Sequence, residues 1–221
     1  MRLFDVLGPV MIGPSSSHTA GAARIGLTAR LLLGSAPAEA EILLYGSFAA
    51  TGRGHGTDRA LVAGLLGLTP EDPRLPQSFE LAEQAGLKLQ FGRIELRGAH
   101  PNTAVLRLRA VDGATLEVQA ASLGGGRIRI EKIDGVTTNF CADHNTLIVH
   151  NIDSPGHVAA VASRLSALGV NIATMQLYRL AAGGRAVMVL ECDEMLPDAL
   201  AAELRTLPGI ERVTLLNVGI A

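Results

Sequence analysis

The sequence contains few cysteines, few aromatic residues and no excess of charge of either sign. Its only two cysteines, Cys141 and Cys192, cannot build a disulfide framework or a four-cysteine metal cage within this chain. The formal net charge is −2 and no run of lysine and arginine stands out, which argues against a nucleic-acid partner. Aromatic residues make up only 3% of the chain, so platforms for stacking bases are also few.

Long hydrophobic runs are missing as well, because no stretch approaches the roughly 20 apolar residues that span a bilayer. The N-terminal segment MRLFDVLGPVMIG lacks the basic start and the small-residue cleavage site of a signal peptide. We therefore expect a cytoplasmic protein with no membrane partner. Apolar residues form 48% of the chain and are spread evenly along it, which predicts a folded globular protein.

Residues 1–141 predict an α+β domain with a mainly antiparallel sheet. A helix is expected from Thr19 or Ala20 to Gly34, followed by the strand AEILLYG and by two helices, TDRALVAGLLG and SFELAEQAG. Four strand-like runs separated by turns come next: LQFGRIEL, TAVLRLRA, TLEVQAAS and RIRIEKI. The segment GVTTNFCADHN, around residues 135–145, is predicted to be a linker.

Residues 145–221 predict a second domain with the element order βαββαβ. The strands are TLIVHNI, VNIATMQLYRL, RAVMVLEC and IERVTLLNV, and the second of two helices opens at Pro197 and carries Leu200, Leu204 and Leu207. This order predicts a ferredoxin-like sheet with helices on one face. The stretch resembles an ACT domain in Asp153, Pro155 and Gly156 of its first loop and in Asn171 after the first helix. The resemblance implies that these four residues bind an amino acid as effector. The alternative is that Pro155 and Gly156 only shape a turn and Asp153 caps the following helix.

A run of polar side chains stands directly before the first predicted helix: Ser15, Ser16, Ser17, His18 and Thr19. Hydroxyls, an imidazole and the free N–H groups of a helix start suit a carboxylate, because the helix N-terminus carries partial positive charge. The alternative is an ordinary N-cap with additional serines. The residues alone leave both interpretations open.

Three further segments are richer in polar residues or glycine than packing requires. The segment GRGHGTDR, residues 52–59, is predicted as a loop in which glycines let a substrate approach His55, with a solvated histidine as the alternative. In HPNT, Pro101 would hold His100 and Asn102 in place. The run of glycines at 124–126 permits a backbone path that side chains would block, or only a tight turn.

These segments together resemble one family. The motifs GPSSSHTAGAARIG, LYGSFAATGRGHGTDRALVAGLLG, HPNT and LGGGRIRI are similar to the successive motifs of the β subunit of iron–sulfur-dependent L-serine dehydratases. The match covers nearly all of the N-terminal domain, and the ACT domain fits the layout of that subunit. The N-terminal domain is also similar to the substrate-binding regulatory domain of some phosphoglycerate dehydrogenases.

The resemblance implies a β subunit that converts L-serine to pyruvate and ammonia with a 4Fe-4S cluster. One iron of that cluster acts as a Lewis acid on the leaving hydroxyl, and the cluster is expected on a separate α subunit because this chain has only two cysteines. The chain alone should then be inactive. His55 and His100 are candidates for acid–base or hydroxyl-orienting roles, with Asn102 as a hydrogen-bonding partner. Which histidine takes the Cα proton stays open, and Ser15, Ser16, Ser17, His18 and Thr19 would hold the substrate carboxylate.

Two alternative functions compete with this one. A non-catalytic, amino-acid-sensing regulatory subunit is the main alternative, whereas a hydrolase using Ser17 and His18 lacks an orienting carboxylate. His144, His150 and His157 are interpreted as structural, since no pair has the helical i, i+4 spacing that a metal site would favour. The edges of an ACT sheet favour a homodimer in isolation.

Overall fold

The computed structural model describes residues 11–217, and the chain divides after Asp134 into two compact units. The helices of the first unit are α1 (Ala22–Leu33), α2 (Gly46–His55), α3 (Thr57–Leu65) and α4 (Ser78–Gln84). Its strands are β1 (Pro37–Leu44), β2 (Lys88–Arg93), β3 (Thr103–Ala110), β4 (Thr115–Gly124) and β5 (Arg127–Ile133). A π-helical turn, Ser16–Gly21, precedes α1, and a short 3₁₀ turn, Leu75–Gln77, precedes α4. No helix within 11–217 is long and apolar enough to cross a membrane.

The five strands of the first unit lie in the order β2-β1-β3-β4-β5. Only β1 and β2 pair in parallel, because the helices α2, α3 and α4 connect them as a crossover, and the other pairs are antiparallel. Along β3, Leu106 and Leu108 are buried whereas Arg107 and Arg109 are exposed and pair with glutamates. One face of the sheet is therefore apolar and the other is charged.

The helices α1 and α3 pack closely because each carries a glycine at the crossing. A Cβ added at Gly26 would lie 2.2 Å from the Leu61 carbonyl oxygen, and one added at Gly64 would lie 2.1 Å from the Ala23 carbonyl oxygen. These approaches leave no space for a side chain at either position. The packing places the start of α1 against the sheet, where Gly21 faces Ser122 of β4.

The second unit contains β6 (Val136–Phe140), β7 (Asn145–Ile152), α5 (His157–Ala167), β8 (Ile172–Arg179), β9 (Arg185–Cys192), α6 (Asp198–Arg205) and β10 (Ile210–Leu216). Four of its strands form an antiparallel sheet in the order β10-β7-β9-β8. Val161 and Leu165 of α5 and Leu204 of α6 are fully buried in its core. The expected α+β fold with a mainly antiparallel sheet is confirmed, and the second unit has the ferredoxin-like order.

Several sequence-based expectations differ from the structure. Residues 136–140, predicted as linker, form β6 because Val136, Thr138 and Phe140 alternate as buried residues with exposed ones. Residues 52–55, predicted as loop, lie in α2, and Gly56 occupies the N-cap position of α3. The first helix was expected from Thr19 or Ala20, whereas α1 begins at Ala22 after the π-helical turn. The domain bounds 1–141 and 145–221 stay predictions.

Candidate active site

The π-helical turn presents its serines on the surface and buries its C-terminal half. Ser15 is its N-cap residue, with an extended backbone, and the Ser15 Oγ accepts a hydrogen bond of 3.1 Å from the His18 N–H. Thr19 is buried, and within the described chain its hydroxyl has no hydrogen-bond partner. A Cβ added at Gly21 would lie 2.0 Å from the Ser122 Oγ, so only glycine lets the turn approach β4 this closely. Ser16, Ser17 and His18 thus remain accessible at the start of α1.

The His18 imidazole is held at both ring nitrogens. Its Nδ1 lies 3.4 Å from the Ser15 Oγ. Its Nε2 lies 3.3 Å from the Ser47 Oγ and 3.2 Å from the Thr51 Oγ1, both on α2. These contacts join the π-helical turn to α2, although the two segments are about 30 residues apart in sequence.

The hydroxyl directions assign one tautomer to His18. The Thr51 hydroxyl donates to the Ser47 carbonyl oxygen at 3.0 Å, so its oxygen accepts from the His18 Nε2–H. The Ser15 hydroxyl then donates to the unprotonated Nδ1. This network is complete with a neutral imidazole, and the tautomer is inferred from these partners.

Burial and a neighbouring histidine favour the same neutral state. Desolvation lowers the pKa of His18 below its ordinary value, the positive charge of a protonated His55 lowers it further, and a hydrogen bond with the Ser47 backbone acts in the opposite direction. The ring centroids of His18 and His55 are 5.0 Å apart. On its other side the His18 ring meets the buried Phe48 edge to face, with 5.3 Å between centroids.

His55 ends α2 with one ring nitrogen engaged. Its Nδ1 lies 3.2 Å from the Thr51 carbonyl oxygen, which can only accept, so Nδ1 carries the proton when the ring is neutral. The Nε2 lone pair is then available to an exposed ligand. Ser47, Thr51 and His55 are spaced four residues apart and line one face of α2.

The Nδ1 of His100 faces a hydrogen-bond donor, whereas the Nδ1 of His55 faces an acceptor. The Asn102 N–H donates to the His100 Nδ1 at 3.2 Å, so in the neutral ring the proton is on Nε2. Pro101 lies against the start of α2, where its carbonyl oxygen accepts from the N–H groups of Ser47, at 2.7 Å, and Phe48, at 3.4 Å. A Cβ added at Gly46, whose φ is +56°, would lie 2.6 Å from the same oxygen. The HPNT loop therefore caps α2 and fixes the residues that hold His18.

The three glycines at 124–126, the first of which ends β4, meet the π-helical turn. The Gly125 N–H donates to the Ser16 Oγ at 3.3 Å, and the Arg24 guanidinium donates to the Gly126 carbonyl oxygen at 3.1 Å. All three glycines have positive φ, between +62° and +92°, which favours glycine at each position. The segment forms a turn, as the alternative interpretation expected, and also contacts the serines.

The structure brings together Ser15, Ser16, His18 and His55, and places the loop of His100 and Asn102 against the same helix. Sequence reasoning missed Ser47, Phe48 and Thr51, which contact the His18 ring. Their spacing with His55 would have indicated a shared face if residues 46–55 had been recognised as a helix.

The four residues predicted to bind an effector lie in the second unit. The Asp153 carboxylate accepts from Arg179 at 2.7 Å and from the Gly183 N–H at 3.2 Å. These bonds, above all the one from Arg179, lower the pKa of Asp153. Gly156, with φ +98°, is the N-cap residue of α5, so Asp153 does not cap that helix. The Asn171 side chain donates to Asp193 at 2.6 Å, and Pro155 lies in the turn before Gly156.

The cysteines do not provide a metal site. Burial, with the carboxylates of Glu194 and Asp193 nearby, raises the pKa of Cys192 to about 11, which keeps its thiol protonated near neutral pH. No group of three or more histidine, cysteine, aspartate or glutamate side chains in 11–217 is arranged to hold a metal ion. The residues described here do not fit an iron–sulfur cluster.

Comparison with known proteins identifies the family. Residues 3–88 match the family model described as serine dehydratase beta chain. A protein of Bacillus subtilis (strain 168), named "Probable L-serine dehydratase, beta chain", is 41% identical over 96% of this chain and 96% of its own length. The L-serine dehydratase beta chain of Peptoniphilus asaccharolyticus is 37% identical over 96% of this chain and 94% of its own. The chain belongs to the serine dehydratase beta chain family.

A more distant similarity connects this chain to another enzyme class. The D-3-phosphoglycerate dehydrogenase of Methanocaldococcus jannaschii is 33% identical over 89 residues, which is 40% of this chain and 17% of that enzyme. The family resemblance predicted from the four motifs is confirmed. The residues of the candidate active site lie in the first unit, which carries those four motifs.

Proposed function

We propose that this chain is the β subunit of an L-serine dehydratase, which forms pyruvate and ammonia from L-serine together with a separate α subunit. Two relatives of full length bear the name L-serine dehydratase beta chain, which supports the reaction. The observation that carries the proposal is the cluster of His18 and His55 beside the half-buried serines of the π-helical turn. An imidazole that can accept a proton and hydroxyls that can donate to a carboxylate lie together there.

In this proposal the π-helical turn binds the substrate carboxylate. The Ser16 Oγ accepts from the Gly125 N–H, so its own proton can be donated, and the Ser17 hydroxyl lies next to it in the turn. Ser15 and His18 hold each other and keep the turn in this shape. Thr19 anchors the turn from its buried side. Hydroxyl donors fixed in advance bind an anion without reorganisation.

The tautomers suggest a division of roles between the two other histidines. His55, with Nδ1–H directed at the Thr51 carbonyl, offers the Nε2 lone pair as the base that takes the Cα proton. His100, with Nδ1 occupied by the Asn102 N–H, offers an Nε2–H that orients or protonates the leaving hydroxyl, with Asn102 beside it. Loss of the Cα proton and of hydroxide gives aminoacrylate and water, and aminoacrylate then hydrolyses to pyruvate and ammonia.

The cofactor of the complex is proposed to be a 4Fe-4S cluster ligated by the α subunit. When bound, it supplies Lewis-acid chemistry at the substrate hydroxyl. The protonated Cys192 thiol and the lack of a ligand cluster in 11–217 support its assignment to the other chain.

The second unit is proposed to act as an ACT domain that binds an amino acid and pairs with a second copy when the α subunit is absent. The predicted effector residues are Asp153, Pro155, Gly156 and Asn171. Because Arg179 already neutralises Asp153, an incoming ammonium group would share that carboxylate and the Arg179 side chain would have to adjust. Regulation of a cytoplasmic, amino-acid-degrading enzyme by such a ligand is part of the proposal.

The function is tested by anaerobic co-expression with the α subunit and an assay of pyruvate formation from L-serine. We expect His55→Ala and His100→Ala each to lower kcat by at least about a hundredfold, the scale of losing an acid–base group. His144→Ala is the matched control, since His144 is exposed and lies in the second unit. Near-native turnover in both variants at unchanged cluster content would contradict the assignment and favour the non-catalytic, amino-acid-sensing regulatory subunit.

A further inference from the structure

A cavity of about 600 Å³ lies beside α2 in the first unit, on a face of that helix adjacent to the one that holds His18. Three phenylalanine rings and two residues of opposite charge are prominent in its lining: Phe48, Phe79, Phe91, Asp58 and Arg93. Its volume is in the range of pockets that bind small molecules. Phe48 also contacts His18 of the candidate active site, and the other four residues have no part in the proposed reaction.

The aromatic part of the cavity is built by three different elements. Phe79 of α4 and Phe91 of β2 meet edge to face, with 6.0 Å between ring centroids, and Phe91 remains partly exposed. Small residues of α2 leave the space open, since a Cβ added at Gly54 would meet no heavy atom within 4 Å and Ala50 is exposed. The cavity therefore offers an apolar wall to an incoming side chain.

Asp58 and Arg93 have no ion-pair partner among the side chains that the structure describes. Asp58 stands in the first turn of α3, where its Oδ1 accepts the adjacent Arg59 N–H at 2.9 Å. Arg93 ends β2 on the same strand face as Phe91. Among the described residues neither Asp58 nor Arg93 takes part in an ion pair, whereas the charges on the opposite face of the sheet are paired. A carboxylate and a guanidinium are thus both available at one apolar cavity.

We propose that this cavity binds an α-amino acid with an apolar side chain. Asp58 receives the ammonium group, Arg93 the carboxylate, and the phenylalanine rings the side chain. A zwitterion satisfies both charges at once, whereas a ligand with only one charge leaves the other unmatched.

Phe48 connects this cavity to the candidate active site. Its ring contacts the His18 imidazole and also lines the cavity, so both sites share one side chain. A ligand packed against Phe48 therefore changes the freedom of the ring that supports His18. Binding at the cavity is coupled to the active site through a direct contact.

The site is tested by titration calorimetry on the full purified chain with L-phenylalanine, L-leucine, 3-phenylpropionate and phenethylamine. We expect saturable binding of the amino acids, and binding weaker by roughly ten- to a hundredfold for the two analogues that carry one charge. Asp58→Asn and Arg93→Met should each weaken L-phenylalanine binding by a similar factor. Ala50→Phe, which places a ring in the cavity, should abolish it.

Matched controls separate the cavity from general effects of charge. Asp198→Asn also changes an aspartate in the first turn of a helix, and Arg97→Met also changes an exposed arginine just beyond β2. Both should bind L-phenylalanine like the unaltered chain.

No saturable heat with any probe up to about 10 mM, or equal binding by all variants, overturns the proposal. It is also overturned if the cavity variants only weaken association with the α subunit, which would assign the cavity to that partner. The measurement needs no turnover, so its result is independent of the proposed reaction.

Discussion

His18, His55 and His100 differ in the partners of their ring nitrogens. Both ring nitrogens of His18 have hydrogen-bond partners. In His55 the Nε2 lone pair is available to a substrate, and in His100 the Nε2–H is available. The sequence indicates these histidines as candidate functional residues, because serines precede His18, glycines flank His55 and a proline follows His100. It does not indicate which role each histidine has. A role depends on whether a carbonyl or an N–H faces Nδ1, and that follows from local backbone geometry.

We expect His55→Gln to raise the pKa of His18. A protonated His55 lowers that pKa, so removing it allows His18 to take up a proton at a higher pH, although burial still holds the value below normal. NMR titration of the imidazole signals of the free chain measures this midpoint. In His144→Gln the midpoint should not move, because His144 is not among the groups that shift the pKa of His18. An unchanged or lower midpoint in His55→Gln would show that the two rings do not interact.

At the scale of elements, α2 is the helix that sequence reasoning did not find. Each glycine within a helix costs about 1 kcal/mol relative to alanine, and the segment contains Gly52 and Gly54. Tertiary contacts offset this cost, because Phe48 is fully buried and the first N–H groups bond to the Pro101 carbonyl oxygen. The hydrogen bonds come from the HPNT loop, which lies far from α2 in sequence, so no local sequence pattern predicts them. By contrast, β6 has a local signal, because Val136, Thr138 and Phe140 alternate with polar residues in the sequence.

We expect Gly64→Ala to lower the free energy of unfolding of the chain by about 1–3 kcal/mol, the usual effect of overpacking. The added methyl group would lie 2.1 Å from the Ala23 carbonyl oxygen and 2.5 Å from the Leu27 nitrogen, so α1 and α3 must separate. Gly54→Ala is the control, since its methyl group meets open space and should stabilise by up to about 1 kcal/mol. Urea denaturation of both variants measures the difference. A loss in Gly54→Ala as large as that in Gly64→Ala would contradict the role of the crossing.

For the whole molecule, the βαββαβ order of the second unit was predictable because short periodic segments alternate with glycine and proline turns. The candidate site in the first unit was predictable only as separate motifs. Its parts come from the π-helical turn, from α2 and from the HPNT and triple-glycine loops, and no periodicity relates segments that distant. Their resemblance to one family, rather than any spacing, indicated that they act together.

We expect the purified chain to be colourless and inactive on L-serine. It has two cysteines, one of them buried and protonated, and the residues from 11 to 217 hold no metal-ligand cluster. Absorption spectroscopy and a pyruvate assay on the anaerobically purified chain check both statements. The reconstituted complex with the α subunit is the positive control. A brown preparation with a cluster absorption band from this chain alone would contradict the assignment of the cluster.

The π-helical turn Ser16–Gly21 has an evolutionary consequence. A π-helical turn accommodates one residue more than the corresponding α-helical turn. Deleting one residue, such as Ser17, would let α1 continue as an unbroken helix and leave everything after Ala22 in place. Ser15 and Ser16 would then rotate by about 100° around the axis relative to His18. The insertion or deletion of a single codon therefore separates this π-helical turn from an ordinary helix start. Among related genes, insertions or deletions at this point should coincide with gain or loss of the proposed carboxylate-binding site.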